Sequence, residues 1–151
     1  MEDIHTYLSS VLAVSVASIA AYVFTSYLNF LSAQNDLIKD YIADLDEIEV
    51  LCAEYWLNKS THENNREQIS HKLRAKLDAT TYYEQLTKTI LKSRFERFRD
   101  LDLELFVAAT GGTFQTANFE VSPETYGEIT SIIFEMRCIL RQRRKSMFWA
   151  D

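Results

Sequence analysis

Hydrophobic and polar positions follow two regimes along this chain. From Leu8 to Leu31 the residues read LSSVLAVSVASIAAYVFTSYLNFL, and no Asp, Glu, Lys or Arg falls between Asp3 and Asp36. A hydrocarbon layer about 30 Å thick takes roughly 20 apolar residues as helix, and this run has 24. It predicts one transmembrane helix. A buried helix of a soluble protein is the first alternative, but no second apolar segment exists to wrap it. A cleaved signal peptide is the second alternative. It calls for a basic leader, whereas MEDIHTY carries Glu2 and Asp3, and the small-residue site Ser18-Ile19-Ala20 lies inside the apolar run.

Within the run, polar residues keep to one side. Val11, Ser15, Ser18, Tyr22, Thr25, Asn29, Ser32 and Asp36 follow each other in alternating steps of four and three, a heptad stripe. Leu12, Val16, Ile19, Val23 and Phe30 fall opposite. Ala13, Ala17, Ala20 and Ala21 lie between, and small residues let membrane helices approach closely. A bundle of such spans, four or more copies, would turn its aliphatic side to lipid, its alanines to neighbouring helices and its hydroxyls and amides to a wet axis. Serine and threonine hydroxyls bonded back to their own helix, or polar glue between two helices, explain the same stripe without a pore.

Beyond Asp36 the pattern becomes amphipathic. Ile38, Tyr41, Leu45, Ile48, Cys52 and Tyr55 repeat at helical spacing, with Leu37, Ile42 and Trp56 widening that face. Asp36, Asp40, Asp44, Glu47 and Glu54 fall within about 80° of one another on the other side. If the helix is unbroken at Ser32–Asn35, these acids continue the polar stripe and ring the cytosolic mouth of a pore, with Asp36 and Asp40 lining it. Acidic rings favour cations. A solvated helix face is the plain alternative.

Asn58–Asn65 reads as a turn, with Ser60 or Thr61 as a cap and Glu63 completing a capping box. One helix is expected from His62 to Lys92, burying Ile69, Leu73, Leu77, Tyr83, Leu86 and Ile90, with Thr80 and Thr81 tolerated inside it. Another is expected from Ser93 to Thr110 after a kink, burying Phe95, Phe98, either Leu101 or Asp102, and Leu105. Gly111-Gly112 ends it. After a loop, Ser122-Pro123-Glu124 starts a last helix to about Phe148, with Tyr126, Ile129, Ile133, Met136 and Leu140 inward. The prediction is an all-α protein: a transmembrane segment over residues 1–33, continuing into a cytosolic helical bundle over 34–151. Three Gly and one Pro in 151 residues agree with helices rather than β structure.

Charge refines the picture. The net charge is −6, but residues 1–63 hold ten acids and two bases, and the remainder twelve acids and fourteen bases. All sixteen Lys and Arg follow the span. The positive-inside rule puts the C-terminal part in the cytoplasm and the short N-terminus outside, as in a single-pass membrane protein. Arg94, Arg97, Arg137, Arg141, Arg143, Arg144 and Lys145, near Phe95, Phe98, Phe148 and Trp149, suit a single-stranded nucleic acid, with phosphates on the bases and nucleobases on the rings. Ordinary surface charge is the alternative, since Glu96, Asp100, Asp102 and Glu104 dilute the cluster.

No catalytic residue, metal site or cofactor is expected. His5, His62 and His71 lack metal-ligand spacing, and neither a phosphate-binding Gly-rich loop with its Lys nor a nucleophile elbow is present. Cys52 and Cys138 read as reduced, core-facing thiols.

The span Leu8–Leu31, the acidic amphipathic helix Asp36–Trp56 and the small helical domain together resemble the short single-span membrane effectors of bacterial anti-phage systems. Within these the layout is most similar to the effector of Hailong-type defence. Ala108-Ala109-Thr110-Gly111-Gly112-Thr113-Phe114, followed by Ser122-Pro123, is also similar to sequences of such small membrane proteins. The resemblance implies an oligomeric ion channel that depolarises the infected cell. It also implies a partner nucleotidyltransferase, whose single-stranded DNA oligomer binds the cytosolic domain and holds the channel shut until infection. A non-conducting membrane anchor, serving as scaffold or regulatory subunit for a protein partner, is the other functional reading.

Overall fold

A computed structural model describes residues 2–58, 63–116 and 119–148. Five α-helices follow in order: α1 (Glu2–Trp56), α2 (Glu63–Thr80), α3 (Glu84–Leu91), α4 (Phe95–Thr110) and α5 (Pro123–Phe148). Single 3-10 turns, Thr81–Tyr83 and Lys92–Arg94, join α2 to α3 and α3 to α4. The protein is all-α. The chain divides into two compact units, Met1–Asp36 and Leu37–Asp151.

The first unit is the N-terminal part of α1. Its apolar stretch is long enough to cross a membrane, and none of that stretch is buried against the rest of the protein. Among the described residues it is the one helix of that kind. With no Gly or Pro in its 55 residues, α1 passes Ser32–Asn35 without a break.

The second unit is a bundle built on the amphipathic part of α1. Ile38, Tyr41, Leu45, Ile48, Cys52 and Tyr55, the face set by the helical period, are all buried. Ile69, Leu73 and Leu77 of α2 join them, as do Phe95, Phe98, Leu101 and Leu105 of α4 and Ile129, Ile133, Met136 and Leu140 of α5. α4 packs along α5. At the end of α1, Tyr55 is an aromatic hub, with ring centroids 5.2 Å from Trp56, 4.9 Å from Phe114 and 5.1 Å from Phe119. Its hydroxyl accepts the Gln115 N–H at 2.8 Å, fastening the α4–α5 loop to α1.

The two ends of that loop follow their residues. Gly111 ends α4 in extended backbone, and a Cβ there would sit 2.7 Å from the Val107 carbonyl oxygen. Gly112 takes φ +58°, which glycine adopts without steric cost. The Ser122 hydroxyl oxygen accepts the Thr125 N–H at 3.2 Å and caps α5 as expected, and the Ser122 N–H donates to the Trp56 carbonyl at 3.1 Å.

The long helix expected from His62 to Lys92 is divided. The hydroxyls of Thr80 and Thr81 donate to the Leu77 and Asp78 carbonyls, both at 2.7 Å, and the backbone tightens into a 3-10 turn at Thr81. Short polar side chains compete in this way for helix carbonyls. Three residues wound more tightly rotate the face that follows. Leu86 is consequently 48% exposed, and Thr87 takes the buried position, its hydroxyl within 2.9 Å of the Tyr83 carbonyl and 3.0 Å of that of Glu84. The expected kink before Ser93 falls at Lys92, whose φ is positive, 51°. The predicted cap at Ser60 or Thr61 lies outside the described residues, as do His62 and Trp149.

Replacing Leu45, which is fully buried, by Ala should lower stability by about 2–5 kcal/mol, through lost burial and the cavity left behind. Val50→Ala, at a position 57% exposed on the same helix, should change it by less than about 1 kcal/mol. Denaturant unfolding of the detergent-solubilised protein, followed by helical circular dichroism, checks both.

Candidate functional site

Three sets of side chains were candidates from the residues alone. The first is the polar stripe of the apolar segment. Ser15, Ser18, Tyr22, Thr25, Asn29 and Ser32 are all exposed, as are Ala13, Ala17, Ala20 and Ala21. The Ser15 hydroxyl donates to the Val11 carbonyl and that of Ser18 to the Val14 carbonyl, each at 2.9 Å. These two groups are satisfied by their own helix. Thr25, Asn29 and Ser32 have no hydrogen-bond partner for their side chains among the described residues. The carboxamide of Asn29 brings two N–H donors and an acceptor, and in an apolar surrounding each needs water or another polar group.

The second set is the acidic face of α1. Asp36 and Asp40 are exposed. Farther along, the bundle neutralises its own acids. Lys76 of α2 stands 3.0 Å from Asp44 and 2.5 Å from Glu47, and these two carboxylates hold its ammonium pKa up to about 12. The Tyr83 hydroxyl donates to Asp44 as well, at 3.3 Å. Arg137 of α5, only 16% exposed, reaches Asp46 and, at 2.6 Å, Glu49. The stripe expected to be uniformly acidic is therefore tied to bases at Asp44 and Glu47. Spacing within one helix does not show this, because the partners come from residues 32 and 88 positions away.

The third set is basic, and the fold separates it into two groups. Arg97 makes a two-pronged contact with Glu135, 2.9 Å at each prong, and reaches Glu104 at 3.3 Å. The Glu135 carboxylate is held below its ordinary range by the Arg97 guanidinium. Arg94 donates to the Gln142 side chain at 2.7 Å, Arg143 to the Ile90 carbonyl at 2.7 Å, and Arg137 is engaged as above. Arg141, Arg144 and Lys145 are exposed and have no ion-pair partner among the described residues.

A fourth constellation was not singled out from the residues. Tyr41 on α1, Thr80 at the end of α2 and Asp102 on α4 meet at the edge of the core. The Tyr41 hydroxyl donates to Asp102 Oδ1 at 3.2 Å, and Thr80 Oγ1 lies 3.3 Å from Oδ2. Burial raises the pKa of Asp102, the hydrogen bonds from Thr80 and Tyr41 pull it down, and the charge of Glu84 raises it further. The Tyr41 hydroxyl is pushed up, first by burial and then by the neighbouring Asp102 charge. The available signal was a carboxylate at a near-core position, where Leu101 and Asp102 compete for the inward face of α4. Elsewhere, Cys52 is buried and its thiol pushed up to about 12 by burial and by Glu49. Among the described residues no three His, Cys, Asp or Glu side chains gather as a metal site.

No family model, no curated protein and no solved structure matches this chain.

The Asp102 geometry predicts a pH effect with a definite sign. The folded chain holds this proton more tightly than the unfolded one does. The associated stability is fullest below the ordinary value of 3.8 and is lost as pH climbs from there through the raised value. Asp102→Asn should remove that loss. Relative to wild type the variant gains stability as pH rises above 3.8 through the raised value, and the difference levels off beyond it, in parallel unfolding curves. A constant difference across the range would contradict it.

Proposed function

We propose that the protein is a membrane effector whose copies assemble through the apolar part of α1 into an ion-conducting pore, with the helical bundle as its cytoplasmic gating domain. The observation that carries the reading is the unpartnered polar side of an otherwise apolar, uncovered helix. Thr25, Asn29 and Ser32 need water or polar partners, and Leu12, Val16, Ile19 and Val23 need lipid. A ring of four or more parallel copies meets both needs, with Ser15, Ser18, Tyr22, Thr25, Asn29 and Ser32 around the axis and Ala13, Ala17, Ala20 and Ala21 between helices. Asp36 and Asp40, next in sequence after the span, then favour cations at the cytoplasmic mouth. In keeping with the resemblance to anti-phage effectors, opening depolarises the bacterial inner membrane. The gating ligand is a single-stranded DNA oligomer supplied by a partner nucleotidyltransferase, and it closes the pore by binding the closed state more tightly. Arg141, Arg144 and Lys145 are its strongest candidate contacts, being exposed and uncommitted within the described residues.

A second reading, a non-conducting anchor whose bundle binds a protein partner, is favoured by one observation. The Ser15 and Ser18 hydroxyls are already bonded within their own helix and need no aqueous axis.

Conductance separates the two. Purified wild-type protein in planar bilayers should pass cations, and replacing Ser18, Thr25 and Asn29 together by Leu should abolish the current. A silent wild type, with or without single-stranded oligonucleotides, leaves the anchor standing.

DNA binding has its own signature. Arg141→Glu with Arg144→Glu should weaken binding of a single-stranded oligonucleotide by about tenfold or more, and should reduce the salt dependence by roughly the share of two phosphate contacts. Fluorescence anisotropy at several salt concentrations measures both. Unaltered affinity and slope would discard the site.

A further inference from the structure

Asp102 forms one side of a recess of about 480 Å³, inside the size range of small-molecule sites. Leu77, Phe95, Phe98, Leu103 and Phe106 give it apolar walls. Its charged lining is Glu84, Asp100, Asp102 and Arg99, three carboxylates against one guanidinium. That guanidinium is occupied, 2.8 Å from Glu96 and 3.7 Å from Asp100. No Lys or Arg among the described residues forms an ion pair with Asp102.

Counting hydrogens shows what Asp102 lacks. Tyr41 brings one hydrogen to Oδ1. The Thr80 hydroxyl also has a single hydrogen, and two acceptors compete for it: the Leu77 carbonyl at 2.7 Å and Asp102 Oδ2 at 3.3 Å. The shorter contact draws most of it. Oδ2 is then a part-buried carboxylate oxygen with one long, shared donor and room for a second, beside aromatic walls. Such an oxygen is costly to bury unless a cation or hydrogen-bond donor reaches it.

We propose that this recess binds a small organic cation, with a protonated amine donating to Asp102 Oδ2 and an aromatic or alkyl body lying against Phe95, Phe98 and Phe106. An anion would meet the surplus of carboxylates, and a neutral apolar molecule would bring the Asp102 carboxylate no further donor. Aromatic faces add attraction for the cation itself. Because Tyr41 bonds the same carboxylate, occupancy acts directly on a hydrogen bond of α1. The proposal does not depend on the channel reading, since every residue it uses lies in the helical bundle.

The test uses the full-length protein in detergent micelles, with 2-phenylethylamine as probe and 2-phenylethanol as its uncharged counterpart, followed by NMR titration. The amine should bind saturably, and the alcohol about tenfold more weakly or worse. Asp102→Asn should weaken the amine by about tenfold and leave the alcohol unchanged. Glu84→Lys, at an exposed rim position that the core does not require, should weaken the amine about threefold or more at low salt. It provides the charge test should Asp102→Asn fail to fold. Equal binding of amine and alcohol, absence of saturable amine binding, or an amine affinity indifferent to Glu84→Lys would overturn the proposal.

Discussion

The structure turns on one helix that meets two different surroundings. Over its apolar stretch, α1 has no protein cover at all. Exposed apolar surface in water costs about 25 cal/mol per Å², so two dozen such residues do not stay in water. Lipid satisfies the aliphatic side but not the amide of Asn29 or the hydroxyl of Thr25. Those groups ask for polar company inside an apolar medium, which is what the proposed assembly of copies would supply.

From Leu37 onward the same helix is handled differently. One face is fully enclosed by α2, α4 and α5, and the facing acids are matched by bases from distant parts of the chain. Exposed ion pairs contribute little to stability, about 0–1 kcal/mol each. The bridges of Lys76 therefore act less as glue than as charge compensation, and the less exposed Arg137 adds a second cation facing the acids of α1. They cancel much of the negative field of Asp44, Asp46, Glu47 and Glu49. What reaches solvent uncompensated is smaller than the raw count of acids suggests.

Much of the fold was legible in the residues because it is governed by local period and local caps. The buried positions of α1 from Ile38 to Tyr55, the inward residues of α5, the Ser122-Pro123 start and the Gly111-Gly112 stop all follow from neighbours within four residues. The failures arise where two local effects compete or where partners are remote. Thr80 and Thr81 have modest helix penalties, yet their hydroxyls draw the backbone into a tighter turn and move Leu86 out. The Lys76 and Arg137 bridges join segments that no periodicity relates. Asp102 was visible only as an ambiguity on the inward side of α4. Its setting beside Tyr41 and Thr80 required three helices to be placed together. The polar stripe of the span is read directly from residue spacing, but that spacing does not show that the Ser15 and Ser18 hydroxyls bond back to their own helix.

Water accessibility along the apolar helix tests the central claim most directly. With Cys52 and Cys138 replaced by Ala, Thr25→Cys and Val23→Cys place a thiol on opposite sides of the span. The protein is reconstituted in vesicles and exposed to a membrane-impermeant, charged thiosulfonate. The account predicts fast modification at Thr25→Cys and none at Val23→Cys. Equal protection of both thiols, or modification of Val23→Cys alone, would contradict it.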